Sequence, residues 1–246
     1  MEYTYYGDLL AISGQYHLTP DTAYNRLNDF YNTTFSSLKD YCENRTDVNV
    51  NMFSDSLLIW GEDAEGMLIE LQKVYTYLID QGLMLRGAMV DGKLQFDPRR
   101  TIDNIRKELP TSDILARALG LEKSQKGARL LIENKLAEKL LDQNREWLTH
   151  EGYIRRIQSD FNIDSILRRI SPTPDNKTYE LLYFWVCPDD AWRVELDYDR
   201  KRSEFKEISK MLERKFSVQY DETIKLLDRC KARERLTMRG PRPSRS

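Results

Sequence analysis

VNVNMFSDSLLIW, residues 48–60, reads as a two-stranded hairpin. Apolar residues alternate with asparagines through Met52, and a second apolar run follows from Leu57. The strands are expected over 48–53 and 56–60. Between them the tip, FSDS, carries a carboxylate, Asp55, flanked by two hydroxyls. Alone, an aspartate there is ordinary turn chemistry.

The flanking elements give the hairpin its place. Upstream, residues 3–13 (YTYYGDLLAIS) are aromatic and aliphatic and read as a strand. TPD at 19–21 starts a helix, with Thr19 as N-cap, Pro20 at the first helical position and Asp21 in the first turn. Tyr24, Leu27, Tyr31, Phe35, Leu38 and Tyr41 follow at three- and four-residue steps, to about Asn44. Downstream, a second helix runs from about Asp63 to Gln81, with Leu68, Leu71, Tyr75 and Leu78 on one face and Gly82 as its C-terminal cap. LMLRGAMV (83–90) is a further strand, closed by the turn signal DGK.

The order is strand, helix, strand, strand, helix, strand. That is the α+β, ferredoxin-like split βαβ arrangement. So many activities use this superfold that it settles none. Beyond it, 112–123 reads as a helix and 128–133 as a strand. A helix near 135–146, a polar break, a short helix near 160–170 and the loop SPTPDN follow. A strand is expected over 179–186, and 191–198 is a strand or a helix entry. From Asp199 to Arg235 the chain is charged and helical, with Phe205, Ile208, Leu212, Phe216, Ile224 and Leu227 in an apolar stripe. Residues 1–135 are therefore expected to form a catalytic core, 136–235 a C-terminal extension packed on it, and 236–246 a disordered tail.

Composition narrows the function. The chain has 246 residues, 40% of them hydrophobic, enough for a sizeable core. A net charge of −2 argues against a nucleic-acid partner. No apolar run approaches the roughly 20 residues of a membrane span, so no membrane partner is expected. Cys42, Cys187 and Cys230 lack metal-site spacing and point to reduced thiols and a cytoplasmic protein. Two histidines, His17 and His150, make a histidine metal site or a Ser-His-Asp triad poor fits.

Asp8 is harder to explain than Asp55. A carboxylate inside an apolar strand needs a partner when buried. In the split βαβ fold we expect the first strand to lie beside 48–53, which would bring Asp8 towards the hairpin tip. Two facing carboxylates repel unless a cation lies between them. Hard oxygen donors suit Mg²⁺ or Mn²⁺, which keep positions open for phosphate oxygens.

These stretches carry a family resemblance, over roughly residues 4–133. YYGDLLAIS resembles the first metal-binding strand of the class III nucleotidyl cyclases. FSDSLLIW resembles their second metal-binding hairpin, and LRGAMVDGKL the strand and turn that follow. Serine in place of the commoner glycine before Asp55, together with LRGA and ARALGLEK, is most similar to the bacterial Pycsar antiphage pyrimidine cyclases.

The resemblance implies conversion of UTP or CTP to the 3′,5′-cyclic monophosphate with release of pyrophosphate. Asp8, Asp55 and the backbone carbonyl of Leu9 would hold two Mn²⁺ or Mg²⁺ ions. Asn51 stands where adenylate cyclases carry an adenine-selecting lysine, and its amide can both donate to and accept from a pyrimidine edge. Tyr5, Asn51, Phe53 and Arg129 become the substrate-binding candidates. Tyr6 also flanks the metal strand. Many relatives carry an Asn and, four residues later, an Arg on the helix after the sheet. Ala116 and Gly120 stand there, so another group must supply the positive charge; Arg86 and Arg129 are candidates, Arg117 a weaker one. A homodimer is implied, with the C-terminal helix either bracing it or covering its own sheet. The product would activate a separate effector. The competing readings are a purine cyclase and an inactive nucleotide-binding or interaction module. A diguanylate-cyclase-like enzyme fits less well, for want of a GGDEF-like hairpin.

Overall fold

The computed structural model describes residues 2–10, 12, 20–96, 110–143, 154–157, 178–182 and 198–237. Along the chain these form β1 (Tyr3–Leu9), α1 (Pro20–Glu43), β2 (Asn49–Phe53), β3 (Ser56–Gly61), α2 (Ala64–Asp80), β4 (Leu85–Asp91) and α3 (Ile114–Lys123). Then come β5 (Leu130–Ile132), α4 (Asn134–Asp142), β6 (Ile154–Ile157), β7 (Thr178–Leu181), α5 (Tyr198–Met211) and α6 (Arg214–Thr237). Among the described residues the strands make one sheet, in the order β2-β3-β1-β4-β5-β7-β6. Its first four strands have the expected split βαβ topology.

One neighbour differs from expectation. β1 pairs with β3, the second strand of the hairpin, not with β2. The helical crossover through α1 leaves a one-strand gap between β1 and β2. The tight turn then brings β3 back antiparallel into that gap, pairing with both. Asp8 still reaches the hairpin tip, because it lies opposite Ser56, the first residue of β3.

Strand alternation divides the side chains between two faces. Tyr3, Tyr5 and Leu9 of β1 share one face with Leu57 and Ile59 of β3, Leu85 and Met89 of β4, and Leu130 and Ile132 of β5. This face is buried under Phe30 and Leu38 of α1, Leu68, Leu71 and Leu78 of α2, and Leu136 and Leu140 of α4. Phe205 of α5 and Leu226 and Leu227 of α6 join the same core. The opposite face carries Tyr6, Asp8, Ser56, Leu58, Trp60, Arg86, Ala88 and Val90. There α3 covers β4 and β5 through Ile114, Ala118 and Leu121. Over β2, β3 and β1 this face is only half covered: Tyr6, Asp8, Asn51, Ser56, Leu58 and Trp60 are all half-buried.

Local chemistry sets the helix ends. The Asp63 side chain caps α2 by accepting from the Gly66 amide at 2.9 Å. At the other end Gly82 adopts φ +76°, and Leu83 donates back to the Leu78 carbonyl at 2.8 Å, a glycine-ended helix stop. The α5–α6 pair is an antiparallel hairpin. Lys231 bonds Asp199 at 2.6 Å, Arg202 bonds Asp228 at 2.9 Å, and the Phe205 and Tyr220 rings meet edge to face at 5.6 Å.

Several sequence expectations shift. The first strand stops at Leu9 rather than residue 13; β7 is Thr178–Leu181, and 183–186 of its expected span lie outside the described residues. β6 is a strand where a polar break was expected. The C-terminal helical stretch is two helices, and Leu212, assigned to the apolar stripe, is 36% exposed at the bend between them. Leu236 and Thr237, expected in the disordered tail, are the last residues of α6; Thr19, the helix near 160–170, the SPTPDN loop, 191–197, residues 238–246, His17, His150 and Cys187 lie outside the described residues. Cys42 is a half-buried free thiol, and Cys230 is buried. No helix among the described residues is long and apolar enough to cross a membrane.

Candidate active site

The hairpin turn has two residues, Ser54 and Asp55, between the paired Phe53 and Ser56. Ser54 takes φ +54°, the left-handed conformation that tight hairpins require. The β1–β3 ladder continues past Asp8 and Ser56: the Leu9 amide donates to the Asp55 carbonyl at 2.8 Å. The main chain of Leu9 thus ties Asp55 to the end of β1 that carries Asp8.

Asp8 sits in a crowded polar cluster. Ser56 Oγ donates to Asp8 Oδ1 at 3.3 Å, and the Tyr6 hydroxyl lies 3.0 Å from the same Oγ. Opposite Asp8 on β4 stands Arg86. Its Nε donates to Glu122 of α3, a carboxylate 1% exposed. Burial pushes the Asp8 carboxyl up to about 6, and the negative charges of Asp55 and Glu122 add to the shift. The Ser56 hydrogen bond and Arg86 oppose it, without overcoming it. The Tyr6 hydroxyl is also raised, chiefly by burial.

This donor set suits a hard divalent cation. Asp8 and Asp55 bring two carboxylates to one end of the sheet, and the charge of Asp55 raises the Asp8 carboxyl. Among the described residues no group of three or more His, Cys, Asp or Glu side chains gathers as ligands. A two-carboxylate set matches ions that take one or two protein carboxylates and complete their shell with water and phosphate oxygens.

The other expected residues divide. Asn51 lies on β2, on the same face as Asp8, opposite Leu58. Phe53 is 79% exposed beside the tip. Arg86 is on this face, held in an ion pair. Tyr5 is not: one residue off in the alternation, it points into the core and is 0% exposed, its hydroxyl 3.0 Å from that of Tyr75. Arg129 is likewise a core residue. Its guanidinium is 2% exposed and bonds Glu180, Glu222 at 3.0 Å and the Lys126 carbonyl at 2.8 Å. Neither residue is placed to touch a nucleotide on the half-open face. Arg117 is paired with Glu133. Ala116 and Gly120 lie on the exposed side of α3.

The sequence reading passed over Ser56 and Glu122. Ser56 belongs to the quoted tip but looked like turn chemistry. Glu122 follows Ile114 and Ala118 at four-residue steps, an acid on the apolar face of a helix. That spacing is a readable sign of a buried partner.

No family model matches the sequence, and no curated protein matches it. Solved structures do match. The adenylyl cyclase CyaB from P. aeruginosa is 11% identical, with 77% of this chain and 96% of that one covered and a TM-score of 0.51. Adenylate cyclases from Trypanosoma brucei in their monomeric state give 10%, 78%, 91% and 0.52. A bacterial light-regulated adenylyl cyclase gives 10%, 74%, 52% and 0.51. At such identities the similarity establishes the fold, the mixed α+β arrangement of the class III cyclases.

Proposed function

We propose that the chain is a nucleotidyl cyclase converting UTP or CTP to the 3′,5′-cyclic monophosphate and pyrophosphate. The observation that carries this reading is the meeting of Asp8 and Asp55 at one end of the sheet, on the face that α3 leaves half open. The ribose 3′ oxygen bonds to the α-phosphorus as the bond to the α–β bridging oxygen breaks. Asp8, Asp55 and the Leu9 carbonyl would hold Mn²⁺ or Mg²⁺. When bound, such ions acidify the attacking hydroxyl and neutralise phosphate charge. Arg86, anchored by Glu122, places a fixed positive charge opposite Asp8. Asn51 faces the base from β2, and Phe53 offers an apolar surface beside the tip. Tyr5 and Arg129 have no part in it.

A homodimer would seat a second copy over the half-open face, which leaves room for groups that replace the Asn/Arg pair absent at Ala116 and Gly120. The cyclic pyrimidine would serve as a second messenger for an antiphage effector. A purine cyclase is the second reading, favoured by the adenylyl cyclases among the solved structures of this fold. One assay separates them: incubation with each NTP and Mn²⁺, with products identified by mass spectrometry. Cyclic UMP or CMP alone is expected. Cyclic AMP or GMP would reject pyrimidine selectivity, and no turnover of any NTP would leave a nucleotide-binding module.

A further inference from the structure

The polar chain beside Asp8 has a direction. Ser56 has one hydroxyl hydrogen, and it is used on Asp8 Oδ1. The Tyr6 hydroxyl, 3.0 Å from Ser56 Oγ, must then be the donor in that bond. The sequence of bonds is Tyr6 O–H to Ser56 Oγ, and Ser56 O–H to Asp8 Oδ1. The reverse direction would strip an ionised, half-buried carboxylate of its hydroxyl donor, a costly arrangement.

The chain is rigidly mounted. Tyr6 and Asp8 are two apart on β1 and project from the same face, and Ser56 is the cross-strand partner of Asp8. The Tyr6 ring packs against the cluster of Val90, Ile114 and Ala118, so α3 fixes the ring while the sheet fixes the serine. Asp8 Oδ1 is engaged by Ser56, while among the described residues Oδ2 accepts no hydrogen bond and is left for another ligand.

We propose that Tyr6 and Ser56 are positioning residues for the cation site. They act in series to fix the carboxylate of Asp8, so that it presents Oδ2 to a divalent ion before any nucleotide arrives. The inference rests on the assignment of Asp8 as a cation ligand, not on which base is cyclised. Partners that orient ligating carboxylates typically contribute 10–100-fold to metal affinity. The serial order makes a stronger demand than the magnitude does. The hydrogen-bonded route from Tyr6 to Asp8 runs through Ser56, so the effect transmitted along it must vanish once the serine hydroxyl is gone.

The test is a Mn²⁺ titration of the nucleotide-free protein, followed by the electron paramagnetic resonance of free Mn²⁺. Wild type, Ser56→Ala, Ser56→Thr, Tyr6→Phe and the Ser56→Ala/Tyr6→Phe double variant are compared, with melting temperature as the folding control. Ser56→Ala is expected to weaken Mn²⁺ about 10-fold. Tyr6→Phe should weaken it less, the double variant no more than Ser56→Ala, and Ser56→Thr should bind as wild type does. Wild-type affinity in Ser56→Ala overturns the proposal. So does a Tyr6→Phe effect of equal size in both backgrounds, or a wild-type protein that binds no Mn²⁺. If Mn²⁺ binds through this chain but no NTP is turned over, the proposal stands and the cyclase reading fails.

Discussion

Asp8 and Ser54 are the residues where the fold accepts a local cost. The Asp8 carboxyl, raised from an ordinary 3.8 to about 6, is favoured in its neutral form by the folded protein. The folded state therefore holds more protons than the unfolded one between those values, and stability falls as pH rises through the window. Asp8→Asn removes the titration. Without metal, this variant should melt higher than wild type above pH 6. The gap should close below the ordinary carboxylate pKa of 3.8, and Mn²⁺ should raise only the wild-type melting temperature. Equal melting of the two proteins at neutral pH would contradict the burial argument. Ser54 is simpler. A left-handed L-residue costs about 1–2 kcal/mol, against the roughly 0.5–1 kcal/mol that glycine loses in chain entropy. Ser54→Gly should gain about 0.5 kcal/mol in urea unfolding. Asp55 itself could be read from the sequence as half of a pair. Ser56 and Tyr6 could not, because a hydroxyl becomes a positioning group only when the strand opposite is known.

The strands carry the next lesson, at the joint between β1 and β4. Gly7 and Gly87 face each other across it, and the Tyr5 ring lies in the space they leave. A Cβ on Gly87 would stand 2.3 Å from the Tyr5 hydroxyl oxygen, and one on Gly7 2.1 Å from it. Overpacking of this kind costs typically about 1–3 kcal/mol. Gly87→Ala should lower the urea midpoint accordingly, and adding Tyr5→Phe, which removes the clashing oxygen, should recover part of the loss. Strictly additive effects would mean that the ring is not what the glycines accommodate. The hairpin and its order among the elements were readable because turn residues and alternation are local signals. The neighbour of β1 was misread because strand pairing across a helical crossover is a non-local choice. The same limit hid Tyr5: the alternation was visible, but which face is core depends on where the helices land. β6 escaped because four residues with two arginines, Ile154–Ile157, carry little strand signal of their own.

The chain's two halves are joined by a buried network around Arg129. Its guanidinium, at the start of β5, binds Glu180 of β7 and Glu222 of α6, while Thr223 of α6 accepts from the Ala128 amide at 2.9 Å. Tyr220, Leu226, Leu227 and Cys230 of α6 lie in the same core as β1 and α2. Among the described residues the C-terminal helices are therefore structural members of the same hydrophobic core as the sheet. In the sequence Arg129 reads as a candidate for the missing positive charge, because its partners are 51 and 93 residues away. Glu180 is 0% exposed, so removing Arg129 strands a buried carboxylate. Breaking one side of a buried pair costs about 3–5 kcal/mol. Arg129→Ala should accordingly lose most of its stability in urea unfolding. Arg129→Met with Glu180→Leu, which removes both charges and keeps apolar bulk, should restore much of it. Activity normalised to folded protein should stay at the wild-type level in the double variant, since both side chains are buried and committed to an ion pair with each other. A restored fold with turnover lost would return Arg129 to the active site and overturn its placement as a core residue.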